Sequence, residues 1–352
     1  MGVFAGPWLQ RLAAVLTLVV GPAMTSQAAD TTPLNPPVKV RMNAAGIAGE
    51  GGFFIALDRG YFSTEGLDIE IVPGSAANAG MDTVAQLIAD DLNVATLAPG
   101  AGLFNALARN VGITGIYAVN TITKNDPSTG IIVRQDHLAS GRYKSPADLK
   151  GMKIAVLTLG GTGHYNVKKA LEIGGLKDSD VELVTMSFPD ALVALGNKII
   201  DGAFEVEPFI SIAKARNIAA MKIPASDTTL GLPTIMWYAN TAFIKKNEEA
   251  VRRLIFAAMR GQKDYALARS GAAGAEDLYR SLQKYTAMKD MALIKQIALP
   301  FADPAGGFDE AGVADLQNFF ILSKTMQKPL PVGQIIDRSF AEAASKRMAG
   351  SN

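Results

Sequence analysis

The segment KIAVLTLGGTGHYNVKKALEIGG, residues 153–175, decides how this chain is read. A β-branched run ends at Leu157, small and hydroxyl residues follow, and Val167, Ala170 and Leu171 then recur at i, i+3 and i+4 until Gly174 and Gly175 stop the pattern. That order predicts a strand, a loop and a helix. The same unit recurs before it: VKVRM passes through NAAGIAGEGG into FFIALDRG, LDIEIV through PGSAANAG into MDTVAQLIAD, and NVATL through APGAG into LFNALARN. Units of this kind predict parallel sheets with crossover helices, an α/β fold.

The units fall into two series. Asp126, Pro127 and Gly130 in TKNDPSTG read as a crossing between them, after which GIIVRQ, KIAVL, VELVTM and GAFEV supply strands of a second open sheet. From Asn247 onward the chain is mostly helical, with Glu248 and Glu249 opening a long helix, and these helices are expected to pack back on the first sheet. The expected organisation is a discontinuous first lobe, residues 38–128 plus 232–352, and an inserted second lobe, residues 129–231.

At the N-terminus, Arg11, the apolar run of residues 12–20, and Ser26 and Ala28 as small residues of a cleavage site predict a signal peptide over residues 1–28. The run is shorter than the roughly 18 residues that spanning needs. There is no cysteine, hence no disulfide framework, thiolate nucleophile or lipid-bearing cysteine. The whole chain carries 34 basic and 33 acidic residues, and loss of Arg11 with the leader leaves the two signs equal. A neutral chain offers no clustered basic face for nucleic acid.

In open α/β sheets ligands sit beyond the carboxyl ends of the strands, where helix N-termini point unpaired N–H groups. The glycine-rich and alanine-rich loops lie there and suit a grip by neutral donors. Thr162 is placed as a helix cap that also presents its hydroxyl, and His164 in the first turn either adds an N–H or stands half-exposed. GTGHYN lacks the lysine of a phosphate loop and the last glycine of a dinucleotide fingerprint. Glu205 and Glu207 in DGAFEVEPF share a strand face, as a general acid and base would, or else divide into one buried and one solvated carboxylate. Pro208 ends that strand, which puts Glu207 at a cleft rim. Trp237 is either core or a flat wall for an organic ligand.

The chain resembles ABC-transporter substrate-binding proteins of the nitrate/sulfonate/taurine/bicarbonate type, a group that includes binders of thiamine-pyrimidine precursors. The resemblance is carried, in order over nearly the whole chain after the leader, by IALDRGYFSTEGLDIEIV, LAPGAGLFNALARN, SPADLKGMKIAVLTLGGTGHYNVKKALEIGGL, IDGAFEVEPFISIA, YANTAFIKKNEEAVRRLI and LPVGQIIDRSF. It implies a type II periplasmic binding fold, two open α/β lobes joined by two hinge crossings. It implies ligand contacts from the loop at residues 43–51, with Asn43, Gly46 and Gly51, from Pro99, Gly100 and Ala101, from Gly161, Thr162, Gly163, His164 and Tyr165, and from Glu207. The implied protein is a monomeric, periplasmic solute-binding component without cofactor or catalysis, handing a small organic anion to a permease and its ATPase. The first loop has no cationic side chain, which points from nitrate or sulfate toward an organic acid, a sulfonate or an amide-bearing ring. Two rivals remain: an enzyme like the pyrimidine synthases of the same superfamily, whose cysteine-rich motif is missing here, and a sensory binding module.

Overall fold

Two five-stranded sheets organise the computed structural model, which describes residues 32–72 and 81–350. The expected signal peptide and the loop PGSAANAG lie outside the described residues. The first sheet contains β1 (Val38–Met42), β2 (Leu67–Ile71), β3 (Val94–Leu97), β4 (Ile113–Thr121) and, from far along the chain, β10 (Pro233–Asn240), in the order β2-β1-β3-β10-β4. The second contains β5 (Thr129–Arg134), β6 (Lys153–Val156), β7 (Glu182–Thr185), β8 (Gly202–Val206) and β9 (Ala219–Pro224), in the order β7-β6-β8-β5-β9.

The sheets are mixed rather than parallel, which corrects the expectation from the repeated units. β1 runs parallel to β2 and β3, and β6 parallel to β7 and β8, but β10 is antiparallel to β3 and β4, and β5 to β8 and β9. The reason is topological. A strand that enters a sheet from the other lobe starts at the edge where the parallel strands end, so it must run against them. β4 and β10 were not foreseen because both are buried almost end to end, and a strand covered on both faces shows no polar–apolar alternation.

The two crossings bind each other: the Gly231 N–H donates to the Ile122 carbonyl at 2.8 Å and the Ile122 N–H to the Leu232 carbonyl at 2.9 Å. Asp126 ties the first crossing down, accepting the Ser128 N–H at 2.9 Å and the Phe301 N–H at 3.4 Å. The C-terminal helices cover the first sheet. The helix Glu248–Arg269 lies against Gly51–Asp58, where a Cβ on Gly261 would fall 2.2 Å from the Gly52 carbonyl oxygen, so the two backbones meet only because glycine is there. The helix Glu310–Leu322 sits on Ala101–Ala108 through the edge-to-face pair Phe104 and Phe320.

Candidate functional site

The carboxyl ends of β1, β3, β6 and β8 converge on one cavity of about 220 Å³. Its walls come from both sheets, as the switch-point rule for open α/β sheets requires. Across it the lobes touch directly: the Ala101 N–H donates to the Gly160 carbonyl at 3.1 Å, Gly100 and Gly161 form an antiparallel bridge, and the Ala48 N–H donates to the Glu207 carbonyl at 2.9 Å. Behind the cavity, Asp315 accepts the Tyr165 hydroxyl and lies 3.4 Å from the Lys169 ammonium.

The second and third loops border the cavity. Pro99, Gly100, Ala101, Gly161, Thr162 and Gly163 all line the cavity. The helix Thr162–Ile173 is capped by Gly161 with no side-chain bond, so Thr162 is its first residue and not its cap. The first-turn N–H groups of Thr162, Gly163 and His164 therefore have no acceptor within the helix, and the Gly100–Gly161 bridge sets that of Thr162 against the Pro99 carbonyl. Gly163 is glycine for room: a Cβ there would stand 2.8 Å from the Phe204 ring. His164 does not line the cavity. Its Nδ1 accepts the Gly160 N–H at 3.0 Å, its Nε2 lies 3.4 Å from Asp178, and its ring stands edge-to-face on Phe319, so it braces the loop from behind. Tyr165 is buried behind the same turn against Phe319.

The first loop departs from the expectation. The buried Glu50 carboxylate accepts the N–H groups of Ala45 at 3.0 Å, Gly46 at 2.8 Å and Ile47 at 3.4 Å. Gly46 has φ +67°, the left-handed turn that lets successive amides face one acceptor. The donors expected to meet a guest are thus held by the chain's own side chain. Burial pushes the Glu50 carboxyl up to about 7 against the opposing pull of the three amides. Asn43 is buried and stitches β1 to β3, its amide donating to the Thr96 carbonyl at 3.2 Å and its oxygen accepting the Thr96 N–H at 2.7 Å. Gly51 opens a buried helix against Tyr265. None of Asn43, Gly46 and Gly51 lines the cavity, although Ala45, Ile47 and Gly49 from the same loop do.

The two glutamates do not divide as either sequence reading had it, because both are buried. Glu207 borders the cavity, but its carboxylate accepts the Ser211 hydroxyl at 2.8 Å, the Ser211 N–H at 3.1 Å and the Ala298 N–H at 3.4 Å. Burial raises its pKa and these bonds restrain the rise. Glu205 is fully buried with no partner for either carboxylate oxygen, and burial raises its pKa well above the usual range. Trp237 is core, edge-on to Phe53 at 5.6 Å and to Tyr117 at 5.8 Å.

Sequence reasoning missed several cavity walls. Phe188 and Phe204 supply flat apolar surface, and Ser128 brings a buried hydroxyl with no hydrogen-bond partner among the described residues. Phe204 and Val206 flank Glu205 on β8, a period-two signal that could not say which face met the cleft. Among the described lining residues Glu207 is the sole ionisable side chain. The arrangement can surround a small apolar body and offer it uncharged donors.

Two mixed α/β sheets with flanking helices, two crossings and a cleft at the strand ends define a periplasmic-binding-protein fold. The aliphatic sulphonate binding protein SsuA of Escherichia coli shares it, with a TM-score of 0.65 at 19% identity over 87% of this chain and 99% of that one. The family described as NMT1/THI5 like matches residues 49–271, and the chain belongs to that family. A Brucella abortus protein named as a binding protein is 28% identical over 203 residues, covering 57% of this chain and 58% of that one. The 4-amino-5-hydroxymethyl-2-methylpyrimidine phosphate synthase THI11 of Saccharomyces cerevisiae is 26% identical over 227 residues, covering 61% and 62%. The chain thus spans about three fifths of the length of these curated relatives. Among the described residues no helix is long and apolar enough to cross a membrane.

Proposed function

We propose that this protein is the solute-binding component of an ABC importer, exported to the periplasm with its leader removed. It captures a small organic compound between its lobes by closure about residues 123–130 and 223–234, then presents the closed form to a permease. The observation that carries this reading is a cavity walled by loops of both lobes, with backbone bonds across it from Ala101 to Gly160 and from Ala48 to Glu207. A guest in that space adds contacts to both walls at once, so it favours the closed state over the open one. An organic acid or sulfonate fits with its charged group at the first helical turn of Thr162 and Gly163 and its apolar part on Phe188 and Phe204.

The test is a thermal-shift panel of sulfonates, aliphatic and aromatic carboxylates, nitrate, bicarbonate and pyrimidines. A ligand at 100 times its dissociation constant stabilises the fold by about 2.7 kcal/mol, a rise of several degrees. Absence of any shift on folded protein overturns the reading.

The synthase relatives favour a second reading, turnover of a bound compound with Glu207 as acid or base. Both Glu207 oxygens are engaged by Ser211 and Ala298, which weighs against a free proton carrier. Turnover that disappears in Glu207→Gln while binding persists would establish it, and recovery of the ligand unchanged after long incubation would dismiss it.

A further inference from the structure

The loop that follows β1 is built like a receptor for an oxyanion. Its backbone turns at Gly46, whose φ of +67° aims the N–H groups of Ala45, Gly46 and Ile47 at a common point. The point is filled from within. Glu50 folds back over the turn it follows, placing Oε1 at 3.0 Å from the Ala45 nitrogen and Oε2 at 2.8 Å from that of Gly46. The carboxylate is 1% exposed at the residue level, and Ala45, Ile47 and Gly49 around it form part of the cavity wall. The Thr96 hydroxyl lies beside the same carboxylate, and Thr96 is itself part of the cavity wall.

Resting on the solute-binding reading, we propose that Glu50 is a specificity-determining residue: its carboxylate occupies the anion nest of the first lobe, so the cleft takes compounds that turn an uncharged end toward Ala45–Gly46–Ile47 and refuses an oxyanion there. Two effects act together. An entering sulfate or sulfonate group finds the three donors already bonded, and no described lining residue carries a cation to draw it there. The first-turn amide of Gly163 on the opposite lobe has no acceptor within its own helix, so any acidic group of the guest is directed to the second lobe.

The experiment is performed at pH 8, where Glu50 is ionised, with inorganic sulfate and methanesulfonate as probes. In the wild-type protein, amide resonances of Ala45, Gly46 and Ile47 stay in place as either probe is added. In Glu50→Ala the emptied nest takes up sulfate, these three amides shift, and affinity rises about tenfold or more, the gain one charge-assisted hydrogen bond supplies. Movement of the three amides in the wild-type protein overturns the proposal, as does a folded alanine variant with no gain or with a gain seen only at Thr162 and Gly163. Should the alanine variant not fold, the wild-type titration decides alone: stillness at the nest while a bound panel compound shifts Gly163 supports the proposal. Failure of the solute-binding reading itself looks different, since then no panel compound stabilises the protein.

Discussion

Ala48 of the first lobe donates its N–H to the main-chain oxygen of Glu207 in the second, at 2.9 Å, and the Glu207 carboxylate reaches back to the Ala298 N–H at 3.4 Å. One residue thus fastens the inserted lobe to two separate segments of the other. The main-chain half of this fastening survives any side-chain change, so substitution isolates the carboxylate.

Glu207→Ala leaves the N–H groups of Ser211 and Ala298 without their acceptor in a buried place. The expected cost is about 1–3 kcal/mol of stability, read by urea unfolding. Ligand affinity falls as well, because the closed, binding-competent population shrinks. Glu207→Gln keeps one acceptor oxygen and should lie between the two. Equal stability and equal affinity for all three proteins would show that the carboxylate fastens nothing.

Stability should decline as pH rises from about 4.5, and two carboxyls account for the sign. The folded pKa of Glu50, about 7, exceeds its ordinary 4.5, so the folded state binds more protons than the unfolded one between those values. Its stabilising contribution is complete below 4.5 and is lost by the time pH passes about 7, a change of about 3 kcal/mol at 1.36 kcal/mol per pH unit. Glu205, raised well above its ordinary value with no partner for either oxygen, acts in the same direction to higher pH. Denaturant melts from pH 4.5 to pH 8 should therefore show a flatter profile for Glu50→Gln, and for Glu205→Gln a gain over wild type that grows with pH. Parallel profiles for all three would refute both assignments.

Gly261→Ala should be severely destabilising, because its Cβ would stand 2.2 Å from the Gly52 carbonyl oxygen and 2.8 Å from the Ala56 Cβ, against backbone that cannot swing aside. The expected loss is about 1–3 kcal/mol or more. Gly333→Ala is the matched control, a helical glycine with nothing within 4 Å of a new Cβ, and it should be neutral or stabilising by up to about 1 kcal/mol. Equal thermal melts for the two variants would contradict the close helix contact.

Much of the site was legible. The junction at residues 160–163 could be read from a β-branched run, glycines and an amphipathic stretch, since each is a local statement about backbone preference. The same is true of Pro99, Gly100 and Ala101. Glu50 was not legible, because a glutamate at the start of a helix looks alike whether it faces solvent or bends over its own loop. Nor was the fate of Glu205 and Glu207. Their i, i+2 spacing suggests a shared face, but β8 ends at Val206, so Glu207 turns to the cavity while Glu205 stays in the core.

The sequence by itself determined the alternation of strand, glycine loop and helix, the division into two series and the absence of thiol chemistry, all properties set by short-range sterics and composition. Tertiary structure alone decided that β5 and β10 run against their neighbours, that Glu50 fills the nest of the first loop, and that Trp237 serves the core. Burial and hydrogen-bond partnership depend on which distant segments arrive beside a residue, as Ala298 does beside Glu207, and that proximity exists only once the chain has folded.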